Sequence, residues 1–223
     1  MDSVHIKIIM AQKKTSPPVR STYRHGDLRR ALLDAGIALA RDGGPDTVVL
    51  REATRRAGVA PNAAYRHFAS HQDLLLAVRT AAVAAMAVAM EAEMTRMPRK
   101  KTPTARAQAR LRAVGTGYLR FAQAETGLFR TAFGTGFFVD REVSLAASGE
   151  AEHNPFAHLS TALDELVAAG ALPPERRPGA EYLAWSTVHG MALLIIDGPL
   201  SVMNAALLEA MGQRLLDMVE RGL

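Results

Sequence analysis

The chain contains no cysteine. That excludes disulfides, a thiolate metal site and a cysteine nucleophile, and it suits a reducing cytoplasm. Nor does any segment combine a basic start, an apolar stretch and a small-residue cleavage site, the marks of a secretory signal. The longest apolar run, residues 81–90, is about half of the ~20 residues a bilayer-crossing helix needs. It reads as buried helix, and no membrane partner is expected. Catalytic signatures are missing too: there is no nucleophile elbow, HExxH pair, Walker loop or dinucleotide fingerprint. Gly134-Thr135-Gly136 lacks the preceding strand and the lysine of a phosphate cradle. His153 and His158 are separated by Pro155 and share no helical face, so no metal site is expected. Asp164-Glu165 reads as a solvated surface pair. The expectation is no catalytic residue, no metal and no cofactor.

What the chain does have is apolar bulk and uneven charge. Of 223 residues, 48% are hydrophobic, enough for a buried core and too many for a disordered chain. Residues 1–72 hold twelve Lys and Arg against six Asp and Glu, a net of +6, and four of the seven histidines. The remaining residues are nearly balanced, so the overall +5 resides in the N-terminal third. A basic module joined to a near-neutral body is the footprint of nucleic-acid binding; a merely soluble basic face is the bland alternative.

The run from Thr47 to Leu75, TVVLREATRRAGVAPNAAYRHFASHQDLL, carries the specific signal. Val49, Leu50, Ala53 and Ala57 recur at helical spacing, with Arg51, Arg55 and Arg56 on the other side. Gly58 supplies the positive φ that ends a helix cheaply, Val59 plugs the angle between helices, and Pro61 suits the first position of the next. Ala64, Tyr65 and Phe68 give a second helix, Pro61 to Phe68, its apolar side. The pattern is a helix-turn-helix whose second helix would read a DNA major groove. Side chains at its start, Pro61 and Asn62, would face base edges. Asn62 can pair bidentately with adenine, and Arg51 or Arg66 with guanine, each pair worth ~1–3 kcal/mol of discrimination.

The same run resembles the DNA-binding segment of the TetR family of transcriptional regulators, through Leu50-Arg51, Ala57-Gly58-Val59, Tyr65 with Phe68, and Leu74-Leu75. The resemblance implies phosphate contacts at Tyr23, Arg24, His25, Tyr65, His67 and His71, which position without specifying. Three departures stand out. Ala60 and Ala63 occupy positions where hydroxyl residues are frequent in the family. His71 replaces a frequent lysine, so its phosphate contact weakens as the imidazole loses its proton. Modest affinity per half-site follows, with dimer avidity supplying much of the rest.

The whole chain reads as all-α. Residues 1–22 form a tail whose Lys13, Lys14 and Arg20 could reach phosphates, or which has no role, with Met10 an alternative initiator. Residues 23–72 form the three-helix DNA-binding domain, its first helix running from Gly26 or Asp27 to about Arg41. Residues 73–223 form a larger helical domain. There Ser70 and Asp73 open a long helix to about Met97, apolar on nearly all sides and expected to run through the middle. Further helices follow at 104–125, 128–133, 155–169, 178–197 and 204–221, with a weakly periodic connection over 137–154.

In the penultimate helix Trp185, His189 and Gly190 share one region, and the WxxxHG spacing resembles a C-terminal domain type found in a TetR subgroup. Two readings fit: a cavity lined by Met86, Met90, Tyr118, Phe129, Phe133, Trp185 and His189 that holds an apolar effector, or a core histidine beside a packing tryptophan. In the last helix Leu208, Met211, Leu215 and Met218 alternate by three and four, a seam that is either core or, as the resemblance implies, the homodimer interface. The function implied is a cytoplasmic repressor on a palindromic double-stranded DNA operator, released when an unidentified small apolar molecule binds. A ligandless architectural protein and an enzyme or carrier with an incidental basic domain are the competing classes.

Overall fold

The computed structural model describes residues 25–134 and 154–223; of His25 to Asp27 it describes the backbone alone. The expected tail with Lys13, Lys14 and Arg20, the connection over 137–153, Thr135 and Gly136 all lie outside the described residues. Among those described there are nine α-helices and no strand. They are α1 (His25–Gly43), α2 (Leu50–Ala57), α3 (Pro61–Ala64), α4 (His71–Thr95), α5 (Pro103–Ala124), α6 (Thr126–Phe133), α7 (Pro155–Ala168), α8 (Ala180–Ile196) and α9 (Ala205–Gly222).

Local chemistry sets the N-terminal boundaries. After α2, Gly58 adopts φ 68°; its N–H reaches the Arg55 carbonyl at 3.3 Å, and the Val59 N–H reaches Thr54 at 3.0 Å. These two bonds form a Schellman stop. Val49, expected on the buried side, is 45% exposed, because it precedes the helix in an extended conformation where helical periodicity does not apply. Thr54 takes its place, buried with its hydroxyl donated to the Arg51 carbonyl at 2.7 Å. The expected reader helix is also shorter: α-helix stops at Ala64 and residues 65–67 continue as a turn, with Phe68 N–H bonded to Ala64 at 2.9 Å. Ser70 and Asp73 close a reciprocal capping box at the start of α4, at 3.1 and 3.0 Å.

The middle of the larger domain is held by α5 rather than α4. Helix α4 has the length and apolarity of a bilayer-crossing helix. Its stripe of Leu74, Val78, Ala82, Met86 and Met90 is instead covered by α1, α5, α6 and α7, while Val88 on the far side is exposed. Helix α5 packs on α4, α6, α7, α8 and α9 at once. Its arginines leave the interior by reaching across: Arg110 to Glu165 (3.0 Å), Arg112 to Asp217 and Glu220 (2.9 Å for the latter), and Arg120 to Glu93 (2.8 Å). The aliphatic stems cover apolar surface while the charges meet partners at the rim. Asp164 and Glu165 reach solvent as expected and also act as cross-ties, Asp164 pairing Arg177 at 2.8 Å.

The two domains share one continuous core, from Leu32, Val48 and Phe68 through Leu74 and Met86 to Phe129 and Leu216. Helix α6 is the joint. At Gly127 a Cβ would fall on the Ala40 and Arg41 carbonyl oxygens, so the start of α6 lies directly on the end of α1. Arg41 pairs Glu125 at 2.7 Å, and Arg79 of α4 donates to the Thr131 carbonyl at 3.2 Å.

Candidate nucleic-acid interface and effector site

Arg51, Pro61, Asn62, Tyr65 and Arg66 are all exposed, while Ala64 and Phe68 anchor the same short segment inward. The Schellman turn aims α3 away from α2, and Pro61 presets its first φ. His67 is half-buried and His71 exposed at the start of α4. Tyr23 and Arg24 lie outside the described residues, as does the His25 side chain.

The cations of α2 divide in two. Arg55 donates to Glu52 at 2.9 Å and Arg56 to Asp42 at 2.9 Å. The hydrogen bond from Arg55 holds the Glu52 carboxyl below its ordinary pKa. Arg51 and Arg66 have no carboxylate partner among the described residues, which leaves their guanidinium groups available to phosphate or guanine. The sequence reading passed over Arg29. Its guanidinium lies over the Phe68 ring, 5.3 Å from the centroid, held beside the reader turn by a cation–π contact. A lone arginine two helices away in sequence carries no signal; only the packing of α1 against the turn after α3 brings it there.

Five of the residues expected to line a cavity, Tyr118, Phe129, Phe133, Trp185 and His189, lie together. Tyr118 and Phe129 are buried, and Phe133, Trp185 and His189 half-buried. His189 lies 4.8 Å from Phe133, 5.6 Å from Phe129 and 6.0 Å from Trp185 between ring centroids. Trp185 Nε1 donates to the Tyr118 hydroxyl at 3.3 Å, and that hydroxyl lies 2.7 Å from His189 Nδ1. Burial pushes the Tyr118 phenol up and the His189 imidazolium down, so both groups are neutral near pH 7. From this buried knot the aromatic row continues outward through Trp185 to Phe156 (6.5 Å) and Tyr182 (6.0 Å from Phe156), both exposed. Met86 and Met90 are buried in the core on α4, and the Met90 backbone lies against Gly117, next to Tyr118.

On α9, Leu208 faces its own chain's core with Leu216 and Val219, and Met211 and Leu215 pack partly against it. Of the expected seam only Met218 is largely exposed. The outward apolar residues are Leu183, Leu193 and Leu194 on α8 with Leu207 and Met218 on α9. Leu208 thus lies on the inner side of α9 and Met218 on its outer side, with Met211 and Leu215 between.

Comparison with known proteins adds the following. Residues 32–78 match the model described as bacterial regulatory proteins, tetR family. Residues 111–219 match the tetracyclin repressor-like C-terminal domain. No curated protein matches. A protein of unknown function from Rhodococcus sp. RHA1 superposes with TM-score 0.71 at 25% identity, over 93% of this chain and 99% of that one. The TetR family regulator PfmR from Thermus thermophilus does so with TM-score 0.58 at 20% identity, over 86% and 98%. The transcriptional regulator FadR from Bacillus subtilis, solved with stearoyl-CoA, gives 0.54 at 14% identity, over 87% and 98%.

Proposed function

The chain belongs to the TetR family of bacterial regulatory proteins, and from that premise we propose that it is a homodimeric repressor released from a palindromic operator by a small apolar effector. It is a DNA-binding transcriptional regulator and not an enzyme. In this reading Arg51, Pro61, Asn62 and Arg66 meet base edges. Arg29, Tyr23, Arg24, His25, Tyr65, His67 and His71 meet phosphates. The observation that carries the reading is the outward placement of Asn62 and Arg66 on a segment fixed from behind by Ala64 and Phe68. The dimer forms through the outer faces of α8 and α9, in the cytoplasm, with no cofactor.

The effector site is the His189 cluster, and α6 is its route to the DNA. Phe129 and Phe133 on α6 belong to the aromatic row, while Gly127 and Glu125 at its start bear on α1. A ligand that rearranges the two phenylalanines shifts a helix with no free space against α1. The reader segments, ~34–36 Å apart in the operator-competent dimer, then lose their spacing. The effector acts by preferring the other arrangement.

Selection of bound duplexes from a random pool tests the DNA reading. A palindrome is expected, with Asn62→Ala weakening it ~10-fold or more at one base position while weakening unrelated duplexes little. Recovery of no palindrome, or a uniform loss across sequences, sinks the assignment.

A further inference from the structure

Building on the effector reading just given, we infer that the ligand must present a hydrogen-bond acceptor to His189, because among the described residues the cluster offers one uncommitted polar group and that group is a donor. Trp185 Nε1–H can only donate, and it donates to the Tyr118 oxygen at 3.3 Å. The Tyr118 hydroxyl proton then has His189 Nδ1 at 2.7 Å and no other partner among the described residues. Donation to Nδ1 places the imidazole proton on Nε2. The opposite tautomer would aim two N–H groups at one oxygen and strand a buried O–H, which is unfavourable. Tyr118 thus acts on the ligand only through the ring it orients.

His189 Nε2 has no hydrogen-bond partner among the described residues, and besides Tyr118 the rings that pack beside it are Phe129, Phe133 and Trp185. Desolvation keeps the imidazole neutral, which favours a neutral acceptor. The ligand class is an apolar body bearing a carbonyl, ester or ether oxygen. The aromatic rings supply the one competing attraction, for a cation. An ammonium would face the Nε2–H with a donor of its own.

Trp185 is the only tryptophan in the chain, so its emission reports this site alone. Titration of the full-length protein with 2-octanone (acceptor only), octylammonium (donor only) and octane (neither) separates the cases. One added hydrogen bond gives about three- to tenfold, so 2-octanone is expected to bind that much tighter than octane, with octylammonium weakest. His189→Phe should erase the preference while both uncharged probes still bind, and His189→Gln, which keeps a donor, should restore part of it. Octylammonium binding as tightly as the ketone, or a ketone preference that survives His189→Phe, overturns the acceptor assignment and leaves the effector site standing. If none of the three shifts Trp185 emission, the effector reading fails and this inference with it.

Discussion

Tyr118→Phe removes a single oxygen from the centre of the larger domain and tests how that centre is held together. The oxygen accepts from Trp185 Nε1 at 3.3 Å and lies 2.7 Å from His189 Nδ1. Its loss leaves a donor and an acceptor unpaired on two half-buried rings. A fully buried orphan costs about 1–3 kcal/mol. The Trp185 bond is long and its ring reaches solvent, so most of the effect comes from His189, giving about 1–2 kcal/mol in total. For a chain of this size that corresponds to roughly 2–8 °C in Tm. Urea midpoints at fixed protein concentration are the better measure, because the apparent stability of the proposed dimer moves with concentration. His189→Phe in the same background decides the cause. If the cost arises from the orphaned imidazole, adding His189→Phe should cost markedly less than it does in the wild type, with a coupling of about 1 kcal/mol. Strict additivity, or a Tyr118→Phe protein as stable as the parent, refutes the hydrogen-bonded chain.

Acidification should destabilise the protein from about pH 6.5, the unfolded histidine value, downward. Burial holds the folded His189 pKa below that of the unfolded chain, so the unfolded state binds the extra proton. The slope should flatten in His189→Gln. Gly58→Ala should cost about 1–2 kcal/mol from the left-handed backbone alone, since its φ is 68° and a Cβ there meets nothing within 4 Å; Gly58→Asn should cost less, read by thermal unfolding. Arg29→Gln should weaken every duplex alike and reduce the salt slope of binding by about 0.9 per protomer; a change in sequence preference would place Arg29 at a base. Leu208→Ala should lose about 2–5 kcal/mol of stability as a core truncation, whereas Met218→Glu should shift sedimentation toward monomer with little change in helix content. The reverse pattern would move the interface to the inner stripe of α9.

Local chemistry was legible along the chain because its causes are local. Gly58 for the turn, Pro61 for the helix start, Ser70 with Asp73 for the cap and the all-helical order all follow from backbone sterics and nearest-neighbour hydrogen bonds. The N-terminal charge excess and the helix-turn-helix pattern were equally open to reading. The Trp185–His189 spacing put both rings on one face of a helix, and Tyr118, Phe129 and Phe133 pack beside His189.

What the tertiary structure alone decided concerns partners distant in sequence. Composition makes α4 look central and α5, with Arg110, Arg112 and Arg120 along it, look peripheral. The order reverses because Glu93, Glu165, Asp217 and Glu220 on three other helices neutralise those arginines. Likewise Arg29 over Phe68, Gly127 against the end of α1, and Leu208 turned inward depend on where whole helices pack. Periodicity assigns a residue to a stripe of its own helix. It carries no information about which other helix, or which neighbouring molecule, covers that stripe.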